Sequence, residues 1–288
     1  MKKEQSGMVF IIAAALLWGI GDLFAKIGVT ALGPWPAIFF RSIFFLPIVM
    51  IYVFHKRDLD IVFDKNSFYP ILAGVCVGLG IIFSRFALSV YEVSLVKPIQ
   101  RLSILITVLL SILFLKEKMT VKKSLGIGLA LTAFFLLYPI NSALFDLSLK
   151  HFYLLGLIFT LGLSTVFLRM GILRKGADQT RFFRSLMQTI IIATAVIALY
   201  GLTNLAGSFS FQIAYPAING LFGALAFISF CEGLKTVGAS TAKPMMVLAT
   251  ITTVTLGVVL LNESLFISKM IGILLAILAV IVLSFKRA

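Results

Sequence analysis

Charge is scarce in this chain. Of 288 residues only 12% are charged and 60% are apolar, whereas a soluble domain usually carries about 25% charged residues. That shortage excludes an ordinary water-soluble fold. Acids are scarcer still, with 11 Asp and Glu against 25 Lys and Arg. The two cysteines, Cys76 and Cys231, lie within apolar runs and read as small packing residues, not as a disulfide. The two histidines, His55 and His151, fall in or beside loops. Within the apolar runs there are no paired acids, no Cys/His metal spacing and no Ser/His/Asp set. No catalytic residue, metal ligand or cofactor is therefore expected, and the chain reads as a non-enzyme.

What the chain has in abundance is apolar length. Ten runs of bilayer-spanning size follow one another, at about 8–27, 36–54, 68–90, 94–115, 121–139, 152–171, 182–203, 213–234, 240–261 and 267–285. The first is too long for a cleaved signal, carries Asp22 and Lys26, and is followed by nine like it. With the N-terminus inside, fifteen Lys and Arg fall in cytoplasmic segments, among them Lys56, Arg57, Lys116, Lys118, Lys122 and Lys123. Outside there is Lys150, or three residues if the helix-end Lys26 and Lys269 are counted. This is a strong positive-inside bias, and it puts both termini in the cytoplasm. The net charge of +14 then reflects topology and contact with lipid headgroups, not nucleic-acid binding. The expectation is an all-α, multi-pass protein of a cell (cytoplasmic) membrane, prokaryotic in type, with the lipid bilayer as a partner.

The runs form two copies of one unit. Ser94-Leu95-Val96-Lys97-Pro98 leads to Glu117 and Gly126, and Ser240-Thr241-Ala242-Lys243-Pro244 leads to Glu263 and Gly272. The offset is constant: 243 − 97 = 263 − 117 = 272 − 126 = 146. Earlier in the unit it is 143: Gly19 matches Gly162, Lys26 matches Arg169, and Phe39-Phe40-Arg41-Ser42 returns as Phe182-Phe183-Arg184-Ser185. The units are residues 1–140 and 150–288, five spans each. Because five is odd, the second unit enters the membrane from the opposite side, an inverted repeat of the kind found in secondary transporters.

Ionisable residues within spans are the functional candidates. Asp22 is the one acid of span 1. It reads either as an interior functional group or as the partner of a base near the outer mouth. Arg85 in span 3 either snorkels to water or binds a ligand. Glu232 in span 8 reads as a proton carrier or as a partner for Lys235. Pro98 and Pro244 mark helix starts or kinks. Lys97 and Lys243 then sit at the positive end of a helix dipole, which disfavours them by roughly 0.3–1 kcal/mol unless something negative is near. With Arg101 one turn on, that end reads as an anion site, or else the lysines snorkel. Glu117 and Glu263 read as structural residues of the links to spans 5 and 10, ahead of the capping residues Thr120 and Ser268.

Trp18-Gly19 with Lys26 in span 1, the arginines Arg41 and Arg184 early in spans 2 and 7, the small-residue starts of spans 4 and 9, Glu117 and Glu263, and Gly126 and Gly272 form a set. Together they resemble EamA-type members of the drug/metabolite transporter superfamily, over the full chain. The resemblance implies a ten-helix carrier with a cavity lined by spans 1, 3, 4, 6, 8 and 9, opened alternately by rocking of the halves. It also implies that phosphate-translocating relatives use basic residues on spans 4 and 9, where Lys97, Arg101 and Lys243 fall. Many relatives carry a proline where this chain has Ile104 and Thr250.

Nine bases (Lys26, Arg41, Arg85, Lys97, Arg101, Arg169, Arg184, Lys243 and Lys269) lie in spans, against the two acids Asp22 and Glu232. The interior reads as cationic. The expected function is secondary active transport of a small anionic or zwitterionic metabolite, such as an amino acid or an organic or phosphorylated acid. The expected substrate-binding residues are Lys97, Arg101, Lys243, Trp18, Asp22 and Arg85. Glu232 and Asp22 are the proton-coupling candidates, and Pro98, Pro244, Glu117, Glu263, Arg41 and Arg184 are structural. A coupling proton or counter-substrate and a homodimer partner fit the same picture. The alternative is a cationic drug or metabolite exporter that uses Asp22 and Glu232. A channel fits inverted repeats with in-span prolines less well.

Overall fold

The structure is a computed structural model that describes residues 2–55, 61–103, 106–107, 109–110, 121, 124–125, 128–129, 132, 136, 149–237, 247–263 and 267–284. Lys243, Pro244, Glu117 and Gly126, and with them half of each twin stretch, lie outside the described residues.

A chain in lipid has no water to satisfy its amides, so its backbone must bond to itself, and helices do this locally. The described elements are α1 (Lys2–Leu32), α2 (Pro34–His55), α3 (Phe68–Val90), α4 (Val93–Arg101), α5 (Leu149–Lys175), α6 (Ala177–Leu199), α7 (Ala214–Val237), α8 (Val247–Leu261) and α9 (Ile267–Ser284). A short helix, Leu202–Ala206, and two 3₁₀ turns, Lys65–Ser67 and Phe211–Ile213, join them. Six helical stretches among the described residues are long and apolar enough to cross a bilayer. The fourth span is described as a helix only to Arg101, and most of the fifth falls outside the described residues.

The helix ends follow from local chemistry. Gly33 takes φ +81° after α1, which only glycine adopts freely, and Pro34 opens α2, where its missing N–H costs nothing. Gly176 makes the same left-handed break between α5 and α6. Asn262, at φ 51°, ends α8 and turns the chain back on itself.

Burial is inverted relative to a soluble protein. Ile51, Phe54, Leu155, Leu199, Val259 and Leu274 stand exposed, while Arg41, Arg85, Lys97, Gln188 and Asn219 are buried. This is the arrangement expected where lipid is the solvent and polar groups face one another.

Helix packing repeats itself across the halves. Helix α1 lies against α7 as α5 lies against α3, and α2 meets α7 as α6 meets α3. The pairs α2–α6 and α4–α8 pack onto their own repeat mates. Glycines set these contacts, residue by residue. A Cβ on Gly74 would stand 2.7 Å from the Arg184 carbonyl oxygen and 2.7 Å from Met187 Cβ. On Gly220 it would stand 2.5 Å from the Arg41 carbonyl oxygen and 3.0 Å from Phe44 Cβ, the repeat equivalents. Gly19 against Thr252 and Gly162 against Ile106 form a second matched pair, and Gly28 and Gly171 against Pro216 and Pro70 a third. Close backbone approach through small residues is how helices associate in lipid.

The two replacements Gly74→Ala and Gly220→Ala are expected to destabilise the protein by about 1–3 kcal/mol each, since a backbone cannot yield as a side chain does. Gly207→Ala, whose Cβ would find its nearest atom at 3.6 Å, is expected to be neutral. Thermal denaturation in detergent measures all three, and a neutral Gly220→Ala would contradict the close contact.

Candidate functional site

Helices α1, α3, α4, α7 and α8 bring together the ionisable residues of the first half. Gly21 leaves room for Asn219 of α7, which donates from Nδ2 to the Gly21 carbonyl at 2.6 Å. Asn219 is thereby oriented, and its Oδ1 accepts from Arg85 Nη2 at 2.6 Å. Arg85 is 4% exposed, so it is buried between helices and does not snorkel. One residue after Gly21, the Asp22 carboxylate meets Lys97 Nζ at 2.8 Å. Lys97 also donates to Gln100 Oε1 at 3.1 Å, and it is 5% exposed. The snorkelling alternative for Lys97 is therefore excluded as well. Arg101 Nε donates to Thr250 Oγ1 at 2.9 Å.

Helix α4 begins at Val93, so Pro98 lies inside the helix and Lys97 in its second turn. The reason lies far off in sequence. Glu263, released by the Asn262 turn, accepts from Val93 N at 2.7 Å and from Ser94 N at 2.8 Å. A carboxylate thus caps the positive end of α4. Across the break, Lys26 Nζ donates to the carbonyls of Leu88 at 2.7 Å and Tyr91 at 2.8 Å, closing the negative end of α3. The α3–α4 joint is held by an anion on the amide end and a cation on the carbonyl end, and it is this joint that places Lys97.

The electrostatics are lopsided. Asp22 lies within Coulombic reach of Arg41, Arg85, Lys97 and Arg101. Four cations against one carboxylate give a formal 4 − 1 = +3 among these five groups. Buried charge of one sign is costly unless it is compensated. The arrangement can hold an anion, and its N–H donors can orient a carboxylate or a phosphate.

A second ionic group lies apart from this one. Arg181 of α6 is 1% exposed and meets Glu232 Oε1 at 3.3 Å and the Asp178 carboxylate. Tyr52 also donates to Glu232. Arg181 and Tyr52 thus reach Glu232 across the helices, and the side chain of Lys235, its partner candidate from sequence, lies outside the described residues. The repeat mates of Arg181 and Glu232 are Ile38 and Phe86, which join an apolar cluster with Ile192, Val196 and Trp35. At matched sequence positions, ions therefore stand in one half and hydrocarbon in the other. Outside the spans, Lys175 lies 2.9 Å from Asp64, and this hydrogen-bonded ammonium holds the exposed Asp64 carboxyl below the usual carboxylate range.

Of the residues singled out from sequence, the structure gathers Asp22, Lys97, Arg101 and Arg85. Trp18 packs on Phe230 with ring centroids 5.4 Å apart and joins two apolar clusters. Arg41, buried, and Arg184, half-buried, are stacked on Phe45 and Phe227. Sequence reasoning passed over Asn219, Gln188 and Tyr52, and named Thr250 only as a departure from the family pattern. Asn219 and Gln188 were findable as lone amides in apolar runs.

A family model described as the EamA-like transporter family matches residues 5–138 and 148–285. The chain is also similar to an uncharacterized protein of Methanocaldococcus jannaschii, 30% identical over 133 residues, which is 46% of this chain and 96% of the relative. That relative is thus about as long as one of the two matched segments.

Proposed function

This chain belongs to the EamA-like transporter family, and we propose that it is a secondary active carrier for a small metabolite with a carboxylate or phosphate group. The substrate class includes zwitterions such as amino acids, and organic or phosphorylated acids. The observation that carries this reading is the formal +3 of Arg41, Arg85, Lys97 and Arg101 around Asp22, with Lys97 2.8 Å from the Asp22 carboxylate. Lys97 and Arg101 take the anionic group, Arg85 is held ready by Asn219, and Asp22 keeps Lys97 oriented between transport events. Lys243 is the sequence mate of Lys97 and is assigned the same role, and Trp18, one turn before Asp22, is assigned to the edge of the site.

The carrier is built as ten spans in two inverted five-span repeats, residues 1–140 and 150–288, with both termini cytoplasmic. The exchange of contacts between halves supports this architecture. Rocking of one half on the other about the glycine contacts gives alternating access, and Glu232 with Asp22 are the groups available to carry a coupling proton. The cation-exporter reading requires acids free for a cation, yet Asp22 and Glu232 each hold a basic side chain.

Counterflow in proteoliposomes tests the proposal. Vesicles loaded with a mixture of amino acids and organic acids are expected to accumulate one labelled anion or zwitterion saturably. Counterflow of organic cations with no response to any anion would contradict it.

A further inference from the structure

Arg41 and Arg184 are repeat mates that sequence alone assigns to structure, yet they are not satisfied as structural residues. Arg41 is 8% exposed, and its Nε and Nη1 find no hydrogen-bond partner among the described residues; the same holds for Arg184 Nε. On the Arg184 face of α6, Gln188 is 1% exposed and its Nε2 is also unpartnered. Residues 184 and 188 are one helical turn apart, so these donors share a stripe. Each guanidinium is stacked on a ring, with Arg41 Cζ 5.0 Å from the Phe45 centroid and Arg184 Cζ 4.4 Å from that of Phe227. Stacking fixes the plane of the fork and leaves its N–H edges for a planar anion. Buried donors, and charged ones above all, are rarely left unmade without a use.

Position along α7 relates this group to the site above. Arg85 bonds Asn219 of α7, Arg41 Nη2 lies 3.3 Å from where a Gly223 Cβ would be, and Arg184 covers Phe227. Those α7 residues are four apart, about 6 Å per step at 1.5 Å rise per residue. From Asn219 to Phe227 is therefore about 12 Å, beyond the reach of one carboxylate held at Lys97. Arg41, which feels both Arg85 and Arg184 electrostatically, bridges the two groups.

We propose that Arg41 and Arg184 form a second anion subsite between α2, α6 and α7, so that the preferred solute carries two separated anionic groups, as a dicarboxylate or a phosphorylated carboxylate does. The inference rests on the anion reading of the Lys97 site and narrows its substrate class. The second group binds on the N–H edges of Arg41 and Arg184, walled by Phe45 and Phe227.

The test compares one monoanion and two dianions on the detergent-purified full chain: butyrate, glutarate and 3-phosphoglycerate, each titrated by calorimetry. In the wild type a dianion is expected to bind about 10- to 100-fold more tightly than butyrate, the range of one charged hydrogen-bonded group. Whether glutarate or 3-phosphoglycerate gains more separates carboxylate from phosphate at the second position. Arg41→Gln and Arg184→Gln should bring the dianion-to-monoanion ratio toward one, whereas Lys97→Gln should weaken both probes together. Equal binding of all three in the wild type, with Lys97 dependence intact, overturns the second subsite and leaves the carrier reading standing. A dianion preference that survives both arginine replacements overturns its placement. Binding of none of the anions overturns both readings. The wild-type comparison needs no variant, so poor folding of an arginine replacement leaves the proposal open to refutation.

Discussion

Replacement of Lys97 by Gln is expected to lower affinity for an anionic solute by roughly 10- to 100-fold, the value of a charge-assisted hydrogen bond. It should also destabilise the protein, by about 3–5 kcal/mol if Asp22 is left without its closest cation. The reciprocal change separates the two effects. Asp22→Asn leaves Lys97 without its carboxylate and so also costs stability, but it raises the cationic excess where the solute binds. Anion affinity is therefore expected to hold or rise in Asp22→Asn while it falls in Lys97→Gln. The double variant, which removes both charges of a pair 2.8 Å apart, should regain much of the stability without regaining binding. Calorimetric titration with chemical or thermal denaturation reads both quantities. Loss of binding in Asp22→Asn together with normal binding in Lys97→Gln would move the site from the cations to the acid.

Removal of the Glu263 carboxylate is expected to loosen the α3–α4 joint. Its two hydrogen bonds, to Val93 N at 2.7 Å and Ser94 N at 2.8 Å, are both charge-assisted, and such bonds contribute about 1.5–3 kcal/mol each. Glu263→Ala should therefore cost roughly 3 kcal/mol or more. Solute affinity should fall with it, because Lys97 is carried on the second turn of the helix that Glu263 caps. The repeat turns this into a second expectation. Glu117 is the mate of Glu263, and residues 239 and 240 are the mates of 93 and 94. Glu117→Ala should then lower the denaturation temperature by a similar amount. A neutral Glu117→Ala beside a damaging Glu263→Ala would mean that the two halves are not built alike at this joint.

The all-helical, membrane-spanning character was legible because hydrophobic length is a local signal, and six of the expected spans are long apolar helices among the described residues. Asp22 was legible as a candidate because an acid in an apolar run is costly wherever it lies. What could not be read was who meets whom. The Asp22–Lys97 pair joins α1 to α4, and Arg181–Glu232 joins α6 to α7; both depend on helix packing that periodicity does not encode. The start of α4 agrees with the expected span, and Pro98 takes the in-helix alternative, but the group that caps the helix could not be read. It is a carboxylate from beyond α8. Arg181 lies near the start of α6, where sequence alone suggests a loop-end charge, and it is among the most buried large side chains.

The most direct measurement is the thermal stability of the purified chain in detergent against a panel of anionic, zwitterionic, cationic and neutral metabolites, repeated on Lys97→Gln. A ligand present at 100 times its dissociation constant stabilises the folded state by about 2.7 kcal/mol, enough to shift the transition. The account predicts that anions or zwitterions raise the transition temperature of the wild type and leave that of Lys97→Gln unmoved. Stabilisation by organic cations alone, equal in the two proteins, would contradict it.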